Sequence, residues 1–371
     1  MILSETRPFP KFDWFLPIDG DGGYLGTSRP ERLPEFNYLK NIALEAERLG
    51  YFSLLVPTRF ANGSFEETSP LAETWTTVSA LTSVTSKIRF LVAIRPGFIS
   101  TGLFAQMAST LENIGKGRLD INVVPGGIQG DFERFGEESS HEFRYSRASE
   151  FIDACKKLWE FPSYVNFDGD FIKLKNAICS PGLKFDNLKF YLGGASNAAL
   201  DLASNKSDVY LNWIEGVESI GSRINKMKSN VKGKVPSFGL RTHLIVRDTE
   251  EDAWKAASDL ISRVSDKVKI DRSNTFASTA MVGQQIQSKR YIDYKINDRL
   301  WNGISIARVN CGTAIVGTPE QVSSELLKYW HVGVDEFILS GFPHLEECTR
   351  VANEVLPLLS SSISKELKLS G

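Results

Sequence analysis

Three short stretches carry groups able to meet an anion. In "FGLRTHLIVR" the cation Arg241 and the imidazole of His243 stand two apart, which on one strand puts them on one face. Such a pair is costly to bury unless something anionic meets it. In "IARVNCG" Arg308 follows a long polar segment, where it could close over an anionic substrate. In "YLGGASN" the run Gly194, Ala195, Ser196 turns into a helical pattern. Glycines let a phosphate approach the backbone, and the amides and dipole of the following helix favour negative charge. Each stretch has an ordinary alternative: a structural ion pair, a surface arginine, a capped αL turn.

The glycine-rich "WFLPIDGDGGYLGTS" (14–28) invites a cofactor reading and fails it. Its glycines miss the dinucleotide spacing, it lacks a Gly-Lys-Ser/Thr ending, and a calcium loop begun at Asp19 would meet Gly23 and Tyr24 where a ligand and a glycine belong. No HExxH or other metal spacing occurs, so no metal is expected, and no GxSxG elbow marks a serine hydrolase.

The 371 residues are 42% hydrophobic and 24% charged with a formal net charge of −2. That is the composition of a globular chain and argues against nucleic acid as a partner. Cys155, Cys179, Cys311 and Cys348 lack CxxC spacing, which fits a reduced compartment. Neither a signal-peptide pattern at the N-terminus nor an apolar run of membrane-spanning length is present, so a cytoplasmic protein off the membrane is expected.

What must position these groups is read from alternation. Short apolar runs near residues 14, 53, 88, 119, 189, 208, 238 and 336 are each followed by helical spacing, as in "NYLKNIALEAERLG" with Leu39, Ile42, Ala43, Ala46 and Leu49. Strands alternating with helices imply a parallel sheet. Eight units predict an α/β fold of one domain over residues 1–371, a closed (β/α)8 TIM barrel. Insertions follow strands 4 and 7, among them a hairpin at 164–174 and an irregular polar segment at 265–303 that could be a mobile cover. An open doubly wound sheet is the rival architecture. In a barrel the chemistry sits where strands end. That selects Asp19 after strand 1, Arg59 after strand 2, Asn122 on strand 4, Trp213 ending strand 6, and Phe342 and His344 after strand 8.

The chain resembles the flavin-dependent alkanesulfonate and methanesulfonate monooxygenases of the bacterial luciferase-like superfamily. The likeness runs through "WFLPIDGDGGYLGTS", "NYLKNIALEAERLGY", "GKGRLDINVVPGG", "YLGGASNAALDLAS", "FGLRTHLIVRDTEEDAWKAA", "GTAIVGTP" and "FILSGFPHLEE". It implies a barrel with an insertion over the active site, reduced FMN delivered by a separate NAD(P)H:FMN reductase, and O2 as co-substrate. It implies cleavage of a sulfonate's C–S bond to an aldehyde and sulfite, in a homodimer or homotetramer. By resemblance the FMN phosphate would sit on Gly194, Ala195 and Ser196 with Tyr145 nearby, and Asn122 would approach the flavin. Trp213, Arg241, His243 and Arg308 would surround flavin and sulfonate. The sequence departs from the family where a histidine is usual at Asp19, a cysteine after strand 2, and a tyrosine at Phe342. Asp19 near a sulfonate would repel it unless paired with an arginine such as Arg59. These positions, with His344, bear on the substrate. A sulfone or heterocycle, and a non-catalytic flavin-binding relative, remain open alternatives.

Overall fold

The computed structural model describes residues 7–231, 233–278 and 281–369. The ends of the expected 1–371 unit, and residues 279–280 of the insertion, lie outside the described residues. Eight parallel strands close into a barrel: β1 (Lys11–Phe15), β2 (Ser53–Val56), β3 (Arg89–Ile94), β4 (Leu119–Val123), β5 (Phe190–Gly193), β6 (Val209–Trp213), β7 (Ser237–Arg241) and β8 (Glu336–Leu339). Each pairs with its neighbour in sequence, and β8 closes on β1 with Phe12 opposite Phe337. The open-sheet rival is excluded.

Period-2 alternation decides which side of the wall each residue faces. Phe15, Leu55, Leu91, Tyr191, Val209 and Ile338 meet as one cluster, while Trp14, Leu54, Phe90, Val92 and Ile121 join the larger core with the helices. Helix Phe36–Arg48 buries Leu39, Ile42, Ala43 and Ala46. It ends as the sequence indicates, with Gly50 at φ +83°. Helix Pro319–His331 starts from a capping box between Thr318 and Gln321, with proline in its first turn.

Two expectations are corrected. "FGLRTHLIV" is not one strand. β7 stops at Arg241, and His243–Val246 leaves the barrel to pair with Ala314–Gly317, which also pairs with Leu300–Trp301. The change of partner is visible in the backbone, where Thr242 N bonds to Ile338 O and His243 N to Thr313 O. The segment 265–303 is not irregular. It holds helices Asp266–Ser278 and Val282–Gln287, a 3-10 turn and a short strand. The expected hairpin is present as Val165–Asp168 against Lys173–Ala177.

The barrel floor, at the strand N-termini, holds buried charge that is neutralised within the chain. Arg89 grips Asp120 through two 2.8 Å bonds. Tyr191 donates to Glu336 at 2.9 Å, with Lys11 Nζ 3.4 Å from the same carboxylate. Burial, reinforced by Glu336, holds the Asp13 carboxyl well above its ordinary value, so it is a neutral acid there.

Candidate active site

At the other end the strands open onto a cavity. Phe15 and Leu55 form its apolar base, and Arg59, Arg95, Arg241 and Arg308 line it together with Asn122 and Trp213. Arg241 and Arg308 are only 4% and 2% exposed. Their guanidinium carbons stand 4.5 and 5.0 Å from the Phe15 ring centroid. Nη2 of Arg241 and Nε of Arg308 are buried and have no hydrogen-bond partner among the described residues. Burial lowers Arg241 to about 10 and Arg308 to about 9, so both remain cations at neutral pH. Arg95, lowered to about 10 by burial, gives Nη1 to Gly126 O at 2.9 Å.

Asp19 lies behind this cluster. Its Oδ2 is 3.2 Å from Arg59 Nε and accepts the Ser64 hydroxyl at 2.7 Å. Ser64 in turn accepts Arg308 Nη1 at 3.2 Å. Burial alone would raise the Asp19 carboxyl, but Arg59 and Arg308 outweigh it and hold it below the usual range. The pairing with Arg59 thus supplies what an acid near an anion site requires.

The turn after β5 forms a cradle. Gly194 adopts φ +130°, and a Cβ there would press on Ala199 Cβ and approach the Tyr145 hydroxyl. Ser196 caps helix Asn197–Lys206 through Ala199 N. Tyr145 and His141 belong to helix His141–Leu158, whose own N-terminus faces the same space. His141 Nε2 is 3.5 Å from Ser196 Oγ. Two helix N-termini, a serine, a phenol, an imidazole and a glycine with no side chain fit a phosphate monoester. Asn122, Leu211 and the Trp213 ring continue the wall from there and could bear a planar heterocycle. His141 was not among the residues selected from the sequence.

Besides Asp19, three sequence-selected residues lie off the cavity. His243 is turned away: Ser340 Oγ is 2.7 Å from its Nδ1, its Nε2 bonds to Cys311 O at 3.1 Å, and it stacks on Phe342. Burial, then the charges of Arg241 and Arg308, keep its pKa well below the ordinary value, so it is a neutral wall residue. The break at Thr242 is why it does not share a face with Arg241. Phe342 lies between His243 and His344. His344 binds Asp21 with its backbone N (2.6 Å) and with Nδ1 (2.9 Å), tying the β1 and β8 loops together.

The insertion covers the cavity. Met281, Val282 and Gly283 line it, with Gly283 against the Trp213 ring. Three buried side chains fasten it. Arg272 donates to Ala307 O at 3.0 Å and Phe65 O at 2.8 Å. Gln287 donates to Ile214 O at 2.8 Å and accepts Gly312 N at 3.0 Å. Gln284 accepts the Asn310 N–H. Among the described residues no group of histidine, cysteine and carboxylate side chains could hold a metal, and no helix is long and apolar enough to cross a membrane.

The family described as luciferase-like monooxygenase matches residues 10–336. Among solved structures, a riboflavin lyase with modified FMN and riboflavin superposes with TM-score 0.77 at 15% identity, over 96% of this chain and 92% of that one. A long-chain alkane monooxygenase gives 0.75 at 17% identity, over 96% and 92%. An EDTA monooxygenase from Chelativorans sp. BNC1 gives 0.74 at 15% identity, over 96% and 94%. An F420-dependent secondary alcohol dehydrogenase shares the fold as well, at TM-score 0.66 and 16% identity, over 95% and 99%. Likeness at this distance carries architecture, and the chemistry must come from the site.

Proposed function

The chain belongs to the luciferase-like monooxygenase family, and on that premise we propose that it is an FMNH2- and O2-dependent monooxygenase that cleaves the C–S bond of an alkanesulfonate to an aldehyde and sulfite. The observation that carries the reading is the pair Arg241 and Arg308, buried side by side in the cavity with unfilled N–H groups. A sulfonate has three oxygens and one negative charge, and it needs several such donors. Reduced FMN, when bound, supplies the electrons by which one atom of O2 enters the substrate and the other becomes water.

The protein's own groups do the rest. Gly194, Ala195 and Ser196, with Tyr145 and His141, hold the phosphate, and Asn122 orients the ring. Arg241 and Arg308 hold the sulfonate. As the C–S bond breaks its electron pair leaves with sulfur and the hydroxyl on the oxygenated carbon gives its proton to solvent; the sulfur group passes from one negative charge to two, so fixed guanidiniums favour the leaving state over the bound substrate. Trp213 and the insertion residues over it keep water from the reacting centre. A separate NAD(P)H:FMN reductase, motion of the insertion, a cytoplasmic setting and assembly into a dimer or tetramer belong to the same proposal. Supplying FMNH2, O2 and a panel of sulfonates and assaying sulfite tests it, and no sulfite from any member overturns it.

A second reading, the same flavin chemistry on a sulfone or heterocycle, is favoured by the Asp19 carboxylate, which already meets part of the arginine charge. It predicts oxygenated product from such compounds and none from sulfonates.

A further inference from the structure

The loop "RFANGSF" (59–65) and Asp19 form one device, and what it fixes is Arg59. Asn62 folds the loop: its Oδ1 accepts Ser64 N at 3.0 Å and Phe65 N at 2.9 Å, and its Nδ2 donates to Asp19 O at 2.8 Å. Gly63 leaves the room Arg59 occupies, since a Cβ there would overlap the guanidinium. Asp19 then holds Arg59 by Nε, with the rest of the side chain buried at the cavity wall.

Arg59, Arg241 and Arg308 are three buried cations; Asp19 pairs with Arg59 at 3.2 Å, and its charge acts on Arg241 and Arg308 as well. Two positive charges are left over. Arg95 and Arg272 are two further cations of this region, and Asp131, near both of them and near Arg59, together with Asp271 beside Arg272, matches them in number, so the excess is unchanged. Uncompensated buried charge costs several kcal/mol per ion, so the cluster is built for a partner of matching charge. A simple sulfonate meets one of the two.

We propose that the substrate is a dianion, with its sulfonate on Arg241 and Arg308 and a second acidic group, a carboxylate, on Arg59, which is the specificity-determining residue. The assignment of the sulfonate end rests on the function proposed above, whereas the charge requirement does not. The substrate class is a short sulfocarboxylic acid, long enough to reach from the Phe15 base of the cavity to the β2 loop.

The test uses flavin-free protein and calorimetric binding of 3-sulfopropanoate against its amide, 3-sulfopropanamide, which has the same shape and one charge less. The dianion is expected to bind about 10- to 100-fold tighter, the range of a hydrogen bond to a charged group. Arg59→Gln should bring the two within about 3-fold of each other, and Arg59→Lys should keep most of the preference. Gly63→Ala, which moves Arg59 without removing its charge, should lose part of it. Thermal melts confirm that each variant is folded. Equal binding of the two probes by the native protein overturns the proposal, as does a preference that survives Arg59→Gln. The same comparison is run with succinate and succinamate. If the sulfonates fail but succinate is preferred, the sulfonate reading falls and the dianion inference stands. If sulfonates release sulfite with no charge preference, the reverse holds. Binding of none of the four overturns it.

Discussion

The two ends of this barrel bury charge in opposite ways. On the floor, Asp120 is gripped by Arg89, Glu336 by Tyr191 and Lys11, and Asp13 carries its own proton. At the mouth, Arg241 and Arg308 keep N–H groups that nothing among the described residues fills. Closed charge is structural: removing one partner strands the other. Open charge is held ready for something that arrives. The same residue types therefore serve different ends, and whether a buried charge is neutralised within the chain, by a partner or by its own proton, tells them apart.

The largest test of this contrast swaps the loss between ends. Arg241→Met should lower kcat/KM for the substrate by about 100- to 1000-fold while leaving the melting temperature equal or higher, because it removes an unmatched buried charge. Arg89→Met should do the opposite, costing about 3–5 kcal/mol in denaturant melts with activity per folded molecule retained. If both variants lost stability alike, the distinction would fail.

Proton linkage separates the ends next. Arg308 sits near 9 because it is buried, so kcat/KM for an anionic substrate should fall about tenfold per pH unit above that value, as the cation is lost. Asp13 works on stability. Its folded pKa is raised above the ordinary 3.8, so its contribution is complete below about that pH and is lost as pH rises toward the folded value. Asp13→Asn should flatten this limb, measured as urea midpoints from pH 4 to 8. A smaller effect is expected at the cradle. Gly194→Ala, at φ +130°, should weaken FMN binding about tenfold, with about 1 kcal/mol of strain, read by flavin fluorescence titration. Ser196→Ala should be the mildest, losing a helix cap worth about 1 kcal/mol and a few-fold in FMN affinity.

All eight barrel strands were legible because each is a short apolar run set off by an amphipathic helix. The break at Thr242 was not, since "FGLRTHLIV" is uniformly strand-like and nothing in its composition records a change of hydrogen-bonding partner. That single break moved His243 out of the cavity. Helix Asp266–Ser278 was read as irregular because its sequence, "DKVKIDRSNTFAS", offers little apolar periodicity. With it went Arg272, Gln284 and Gln287, whose roles depend on backbone groups distant in sequence. The pairing of Asp19 with Arg59 was reachable from charge alone, as an acid beside an anion site demands a cation. The part played by Gly63 and Ser64 was not, because it depends on close approach.

Arg272 reaches from the insertion to Phe65 O, the last residue of the loop that sets Arg59. The cover and the selector are thus stitched together by one side chain. A different β2 loop grafted onto this barrel would lose the carbonyl that Arg272 seeks and would leave the roof loose over a redesigned pocket. In this molecule, changing what is admitted and changing how the door shuts are a single engineering problem.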